Sequence, residues 1–314
     1  MIEERLPMDE LTWLNSNPPL DDLVGHYPEV WEQAARDLVT TAKEGRVQAL
    51  NEYAVKAKLL AETWKNRIRK SRNNHKVIKA AVPYIVKSRM YLHALDKCFL
   101  AAAAGKVTGK VRFTIVNGLI IQKLLFKRDL VRKPASLRWF KLLWPFVTQR
   151  KLLIPLVQGK GIYCFYSKEL IGELKTLIGD RTCVEIAAGD GTLARFLKDQ
   201  GVNVIATDDL SWSHAIKYPE NVENLDAKHA LAKYSPKVVI CSWPPPGNTF
   251  ERQVFLNKDV DLYIVIGSRY KFISGNWDSY AEQDKFAWAT DAKLSSYVIP
   301  PEIESAVLVF RRKT

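Results

Sequence analysis

An acidic residue followed by two closely spaced glycines has the pattern of a binding site for a polar ligand. Glu185, Ala187, Gly189 and Gly191 alternate along the stretch CVEIAAGDGT, which begins at Cys183. Glycine lacks a Cβ atom, so the two glycines permit a sharp turn with room beside the backbone. A helix that starts after such a turn presents free N–H groups to a polar or anionic ligand. The stretch therefore predicts a ligand-binding turn.

The residues on either side of this turn predict a strand before it and a helix after it. The run 182–186 is rich in residues that favour buried strands. After the turn, apolar residues recur with helical spacing at Leu193, Phe196 and Leu197. Strand, turn and helix together form the first unit of an alternating α/β fold.

Two further acids follow at positions where a nucleoside ligand would need them. Asp208 lies 17 residues beyond Gly191, at the end of the apolar run 202–207. An acid at the end of a strand beside a glycine turn can accept hydrogen bonds from ribose hydroxyls. Asp226 and Ala227 follow a third short apolar segment near Val222.

These residues alone leave more than one ligand open. The spacing Gly189-x-Gly191-x-x-Ala194 also satisfies the relaxed dinucleotide fingerprint, and an NAD enzyme would use a ribose-binding acid in the same way. A strand, turn and helix with no ligand is the third interpretation. Glu185 favours neither of these two, because a pyrophosphate gains nothing from a carboxylate in the strand.

The stretch from Glu185 to Gly191 resembles motif I of the class I S-adenosylmethionine (SAM) methyltransferases, Glu/Asp-x-Gly-x-Gly-x-Gly, with Ala187 in place of the first glycine. The resemblance covers about residues 165–314. It implies SAM as the cofactor, held at the turn by Gly189, and an acid, Glu185, near the methionyl amino group. It also implies a Rossmann-like, mostly parallel seven-stranded sheet with strand order 3-2-1-4-5-7-6.

The resemblance also implies roles for the later residues. Asp208 would bind the ribose, the Asp226 side chain would take the adenine amino group, and the Ala227 N–H would meet the ring. Ser242 and Trp243 precede three prolines, where this family often carries Asn/Asp-Pro-Pro-aromatic beside the transferred methyl. With Ser242 at the cofactor and no amide acceptor, base N-methylation of that kind gains little support.

The acceptor side is predicted from the residues near the strand ends. Tyr166 is expected to close over SAM, His214 is a candidate general base, and Trp243 would wall the substrate or adenine, or simply pack. A hydroxyl or amine acceptor needs a base, whereas a carboxylate acceptor does not. The remaining candidates are Tyr163, Asn248, Glu251 and Arg269, the last as a carboxylate holder.

The rest of the chain is predicted as a mainly helical, strongly basic module at 1–160 before a methyltransferase domain at 161–314. Apolar residues at helical spacing between Leu50 and Trp64 indicate an amphipathic helix. Asn117-Gly118 between β-forming runs predicts a small hairpin over 111–121. At the other end, runs 294–299 and 305–311 are expected to form a closing antiparallel hairpin.

The positive charge lies almost entirely in one segment. The chain carries a net charge of +13, yet residues 51–160 hold 25 Lys and Arg against 4 Asp and Glu. Such asymmetry indicates an anionic partner. Basic and aromatic side chains interleave between Lys123 and Lys151. This pattern is typical of a surface that binds RNA, of one that binds an anionic membrane, of a pocket for an acidic peptide or metabolite, or of an interface that only packs.

Composition narrows the setting of the protein. Four cysteines without paired spacing, and an acidic start without an apolar signal core, predict reduced thiols and a cytoplasmic protein with no stable membrane insertion. No metal-ligand pattern is present, and the sequence does not indicate an oligomeric state. The leading hypothesis is O- or N-methylation of an anionic small molecule or peptide. An RNA methyltransferase and a non-catalytic SAM-binding module are the alternatives.

Overall fold

A computed structural model describes residues 7–43, 47–102, 113–213 and 216–313. The chain divides into two compact units, Met1–Phe99 and Leu100–Thr314. This division precedes the boundary predicted near 160. Across the described ranges, no helix is both long enough and apolar enough to cross a membrane.

The first unit is built from helices, as the sequence predicted for the N-terminal region. Its described helices are α1 (Pro7–Asn15), α2 (Leu20–His26), α3 (Pro28–Lys43), α4 (Val47–Lys70) and α5 (His75–Ala102), the last of which extends past Phe99. The predicted amphipathic helix through Trp64 is part of α4. A polar four-residue turn, 71–74, joins α4 to α5. The Tyr91 hydroxyl of α5 donates a hydrogen bond to Asp37 of α3 at 2.6 Å.

The second unit opens with three short helices, and the hairpin predicted over 111–121 is wrong. Residues Ile115–Leu125 form α6, followed by α7 (Leu137–Leu143) and α8 (Leu153–Gln158), while 111 and 112 lie outside the described residues. Asn117 is helical, buried and hydrogen-bonded to Thr114 at 2.8 Å. Packing of the apolar face of α6 overrides its local β preference.

These three helices share a core with residues later in the second unit, which explains why the boundary between the two units falls near residue 100. Their buried side chains include Leu124, Leu137, Phe140 and Leu153, and they cluster with Phe165 and Ile299. A boundary near 160 would cut this cluster and expose its apolar surface to water.

Nine strands follow in the described part of the chain. They are β1 (Phe165–Tyr166), β2 (Cys183–Glu185), β3 (Val204–Asp208), β4 (Val222–Asn224), β5 (Val238–Ser242), β6 (Leu262–Ser268), β7 (Phe286–Thr290), β8 (Val298–Ile299) and β9 (Ser305–Arg312). Seven of them form one sheet in the order β4-β3-β2-β5-β6-β9-β7. Numbered within that sheet alone, the order is 3-2-1-4-5-7-6, as predicted. The first five strands in space are parallel, and β9 runs antiparallel to both of its neighbours.

Helices cover both faces of the sheet. They are α9 (Lys168–Ile178), α10 (Thr192–Lys198), α11 (Ala227–Tyr234), α12 (Arg252–Leu256), α13 (Trp277–Glu282) and α14 (Ala292–Ser295). Alternate residues of β2 point to opposite cores: Cys183 packs with Leu170 and Leu193, whereas Val184 packs with Ala230 and Val254. Cys183 and Val184 are apolar, as a strand buried on both faces requires, and the strand ends at the buried acid Glu185.

The closing hairpin predicted from runs 294–299 and 305–311 is wrong, because β9 pairs with a different strand and part of the first run is helical. β9 pairs with β7, whereas Val298–Ile299 pairs with Phe165–Tyr166 in a separate two-stranded sheet. Only Phe286 of β7 is buried, so this edge strand lacks the apolar run that marks a central strand. Trp288 holds it in place by stacking on Phe310, with ring centres 5.4 Å apart.

Candidate cofactor site

The turn after β2 is built from three residues in the left-handed region of backbone conformation. Ala187, Gly189 and Gly191 have φ values of 48°, 56° and 64°. A Cβ atom on Gly191 would lie 2.7 Å from Cγ2 of Val222, so this position has no space for a side chain. Ala187 occupies the position of the motif's first glycine, and its Cβ makes that conformation unfavourable by about 1 kcal/mol.

Glu185 ends β2 and points its carboxylate at the start of α10. The side chain is 1% exposed, and its Oε2 accepts a hydrogen bond from the Ala194 N–H at 2.8 Å. Burial raises the pKa of Glu185 to about 8, against the opposing effect of that hydrogen bond. A buried carboxylate with one described partner retains capacity for a cationic group.

Asp208 ends β3 and is bonded to the glycine turn. Its two oxygens accept from the Gly189 N–H and the Leu210 N–H, each at 2.9 Å. Burial raises the pKa of Asp208, although these N–H donors and the Tyr218 hydroxyl favour the ionised form. The carboxylate therefore joins the two loops between which a ribose is expected to lie.

Asp226 and Ala227 begin α11. Asp226 is the helix N-cap, accepting from the His229 N–H at 2.9 Å, and its other oxygen lies 2.8 Å from His229 Nδ1. The first of these hydrogen bonds lowers the pKa of Asp226. Ala227 is buried beneath the cap, and its role towards adenine stays a prediction.

Arg132 lies at this site, although its sequence context did not predict it there. It was assigned to the basic tract, yet its side chain is 6% exposed and lies at the glycine turn. Nη2 is 2.5 Å from Oδ1 of Asp190, and Nη1 donates to the Cys164 carbonyl at 3.1 Å. No feature of the local sequence distinguishes Arg132 from its exposed neighbour Arg128. The one indication of a basic partner was the acid Asp190, which lies between the two glycines of the turn.

Arg132 retains donor capacity beyond these contacts. Its Nε is buried and has no hydrogen-bond partner among the described residues. Burial alone would lower the pKa of this guanidinium, but Asp190, followed by the nearby Tyr166, raises it. The pKa of Asp190 is lowered in turn, because the influence of Arg132 exceeds that of burial. A guanidinium fixed by one carboxylate, with a free N–H, is a site for a second carboxylate.

Tyr166 and Ser242 meet at the carboxyl ends of the strands. The Tyr166 hydroxyl lies 2.8 Å from Ser242 Oγ, and its ring packs edge-on against Phe196. Burial raises the pKa of Tyr166, so the hydroxyl stays protonated. Arg132 lies 5.7 Å from the centre of the same ring. The structure thus brings Tyr166, Ser242 and the Arg132–Asp190 pair into one cluster.

Trp243 has a strained backbone next to this cluster. Its φ of 59° is uncommon for a bulky residue, and its N–H donates to the Ile266 carbonyl at 2.6 Å. Its ring is parallel to that of Tyr163, with centres 6.3 Å apart. Strain of this kind concentrates at functional positions.

Asn248 and Glu251 have structural contacts. The Asn248 amide donates to the Pro245 carbonyl at 2.8 Å and to Glu251 at 2.6 Å. Glu251 is fully buried and also accepts from the hydroxyls of Tyr263 and Tyr280, each at 2.5 Å. These bonds fix the proline loop after β5, and a catalytic role for Asn248 stays a prediction.

The remaining two candidates lie apart from the cluster or outside the described residues. Arg269 donates to Glu304 at 2.6 Å, so its guanidinium already has a carboxylate partner. His214 lies outside the described residues. Cys164, Cys183 and Cys241 are free, buried thiols.

Comparison with known proteins supplies little beyond the fold. No family model and no curated protein matches the chain. Among solved structures, Thermoplasma acidophilum protein 1320 matches 46% of this chain and 88% of its own, at 15% identity and a TM-score of 0.29. The CurJ carbon methyltransferase matches 91% and 99%, at 11% identity and 0.34. Human N-acetylserotonin methyltransferase in complex with SAM matches 85% and 97%, at 9% identity and 0.32.

Likenesses of this strength carry no argument about function, so the fold assignment rests on the chain itself. The strand order, the antiparallel β9 and the acid-ended β2 followed by a left-handed turn define the class I methyltransferase fold. In such open sheets a ligand binds beyond the carboxyl ends of the strands. Glu185, Asp208 and Ser242 lie at those ends.

Proposed function

We propose that this protein is a SAM-dependent methyltransferase. The observation that supports it best is the pairing of opposite charges at the glycine turn, with the buried Glu185 carboxylate on one side and the buried Arg132 guanidinium on the other. A dinucleotide pyrophosphate has no cationic or donor group for the buried Glu185 carboxyl to bind, whereas the ammonium group of SAM is both.

The residues present fit each part of SAM. Its amino-acid end bears both an ammonium and a carboxylate, which suit Glu185 and the free N–H of Arg132 respectively. Asp208 has lone pairs beyond its two backbone bonds for ribose hydroxyls, while Asp226 and the N–H of Ala227 suit adenine. Room beside Gly189, where a Cβ atom would meet only Ile216 at 3.6 Å, completes the cradle.

Bound SAM supplies an electrophilic methyl group on a sulfonium. The protein's own task is to hold an acceptor atom in line with it and to keep water out, because alignment provides much of the rate. Tyr166 stays protonated and bonded to Ser242, so we assign it to orienting the cofactor end of the site and not to base chemistry. His214 remains our candidate base, and Trp243 with Tyr163 would wall the acceptor.

For the acceptor, we propose an O or N atom of an anionic small molecule or peptide. The strongly basic segment 51–160 supports an anionic acceptor. The absence of an Asn or Asp before Pro244 speaks against nucleobase amines held by that motif. Because Arg269 is paired with Glu304, we no longer assign it to substrate binding.

The test is transfer of a labelled methyl group from SAM to a cell extract, with separate RNase, protease and size-filtration steps. We expect label in a filterable or protease-sensitive fraction, and an Asp208→Ala control should lose it. Label removed by RNase would identify the RNA methyltransferase alternative. SAM binding with no transfer to any fraction would favour a non-catalytic SAM-binding module.

A further inference from the structure

The tip of the α4–α5 hairpin carries a groove separate from the cofactor site. It has a volume of about 550 Å³. Arg67, Lys70 and Lys76 line it with positive charge, and Trp64, Val77 and Ala80 supply an apolar surface. No acidic residue is among its lining residues, which makes it a mixed cationic and aromatic surface.

The positive charge around this groove is concentrated and mostly unneutralised. Residues 62–79 hold seven Lys and Arg against the single acid Glu62. Glu62 pairs with Lys65 at 2.8 Å. Within the described part of the chain, no ion pair reaches Arg67, Lys70 or Lys76. Holding these cations together costs self-repulsion, which an anionic partner would relieve.

The aromatic component is flat and partly open. Trp64 stacks on Tyr84 with ring centres 5.2 Å apart and planes inclined by 15°. The Arg67 guanidinium lies 4.9 Å from the centre of the Trp64 ring. Tyr84 remains 42% exposed. Aromatic rings and guanidinium planes are the surfaces on which unpaired nucleobases stack.

We propose that this groove binds single-stranded nucleic acid, with Arg67, Lys70 and Lys76 on phosphates and a base stacked on the Trp64–Arg67 surface. The carboxylates of an acidic peptide would use the cations but would leave the aromatic surface without a stacking partner. An anionic membrane would require apolar side chains to insert, whereas the turn 71–74 is Ser-Arg-Asn-Asn. The inference is independent of methyl transfer, because every residue it uses lies in the helical unit.

The first test measures binding of fluorescein-labelled uridine and thymidine strands to the full-length protein at several salt concentrations. The groove variant combines Arg67→Gln, Lys70→Gln and Lys76→Gln. The matched control, Lys198→Gln, Lys258→Gln and Lys285→Gln, removes three exposed cations from the sheet unit. We expect the groove variant to bind at least about tenfold more weakly and to lower the salt slope by about 2, since each phosphate contact on a single strand contributes about 0.7.

The second test separates stacking from charge by comparing a thymidine strand with an abasic strand of the same length. The wild type should prefer the strand with bases by roughly fivefold or more, because each stacked base adds to affinity. Trp64→Leu should remove that preference, and Trp64→Phe should restore part of it. Thermal melting of each variant verifies that the helical unit is folded.

Several outcomes would overturn the inference. They are no strand binding at low salt, an equal loss in the control variant, or no preference for bases in the wild type. Binding of a polyglutamate peptide or of phosphatidylserine vesicles as tightly as the strands, with the same loss in the groove variant, would assign the surface to that partner instead. Uridine and thymidine strands distinguish RNA from DNA as the source.

Discussion

Arg132 and Asp190 form a buried ion pair, with 2.5 Å between Nη2 and Oδ1, that joins the segment after α6 to the glycine turn after β2. The Arg132 side chain is 6% exposed and the Asp190 side chain is 32% exposed. Because Arg132 also bonds the Cys164 carbonyl, it fixes the turn against the chain that leads into β1.

Arg132 and Arg128 belong to the same basic stretch of sequence, but Arg132 is buried and Arg128 is exposed. Replacing Arg132 with Gln should weaken SAM binding at least tenfold and lower stability by about 1–3 kcal/mol, because the partly buried Asp190 would lose its cationic partner. The matched control is Arg128→Gln, which removes the same charge from an exposed side chain four residues earlier. Calorimetric titration and thermal melting measure both effects. Equal SAM affinity in the two variants would show that Arg132 does not bind SAM.

The glycine turn predicts a contrast between two glycines. Gly191→Ala should destabilise the protein by about 2–4 kcal/mol, because its Cβ would meet Val222 at 2.7 Å in addition to the left-handed strain. Gly201→Ala is the control, since Gly201 has a φ of 81° with open space around its Cβ position. It should cost about 1 kcal/mol, the conformational part alone.

Chemical denaturation of the two variants checks this contrast. Adding Val222→Ala to Gly191→Ala should recover part of the loss. Equal losses at Gly191 and Gly201 would mean that Val222 is not in contact with the turn.

Gly189 tests the ligand and not the packing. A Cβ there would meet only Ile216, at an ordinary 3.6 Å, so the fold should survive substitution. Gly189→Val should nevertheless abolish SAM binding, because a β-branched side chain would enter the ligand space and resist the positive φ. A folded variant that binds SAM normally, by circular dichroism and calorimetry, would refute this placement of the cofactor.

Glu185 predicts a pH dependence of stability without ligand. Its pKa is about 8 in the folded protein against an ordinary 4.5, so the unfolded chain binds fewer protons between these values. The contribution of Glu185 to stability should therefore fall as pH rises from about 4.5 to about 8 and stay constant above, by at most about 5 kcal/mol. Glu185→Gln should remove this decline. Parallel melting curves for the two proteins across that range would contradict the burial of the carboxylate.

The Tyr166–Ser242 hydrogen bond predicts coupling between two positions far apart in sequence. Tyr166→Phe and Ser242→Ala should each cost about 1 kcal/mol, and the double variant should cost clearly less than their sum. A thermodynamic cycle from denaturant unfolding measures this coupling. Additive losses would show that the two hydroxyls do not interact.

The sheet could be predicted from sequence because its central strands, such as Val238–Ser242, are largely apolar and end at acids or turns. The edge strand Phe286–Thr290 could not, because four of its five residues are exposed and its identity depends on pairing with β9. The helix Ile115–Leu125 was mistaken for a hairpin, since β-forming residues and Asn117-Gly118 outweighed a packing partner that lies far along the chain.

The site shows the same distinction. Glu185, Gly189 and Gly191 lie in one short stretch, and Asp208 ends the next strand. Their arrangement could therefore be predicted from the local sequence. Arg132 reaches the turn only through tertiary contact, because 58 residues separate it from Asp190.

Calorimetric titration of the full-length protein with SAM and, separately, with NAD tests the central claim most directly. We predict saturable heat for SAM and none for NAD, and an Asp208→Ala variant that binds SAM more weakly by about 1–3 kcal/mol, the cost of removing one partner from buried hydrogen bonds. Asp209→Ala is the matched control, because Asp209 is the neighbouring exposed acid. Binding of NAD with no heat for SAM would contradict the account.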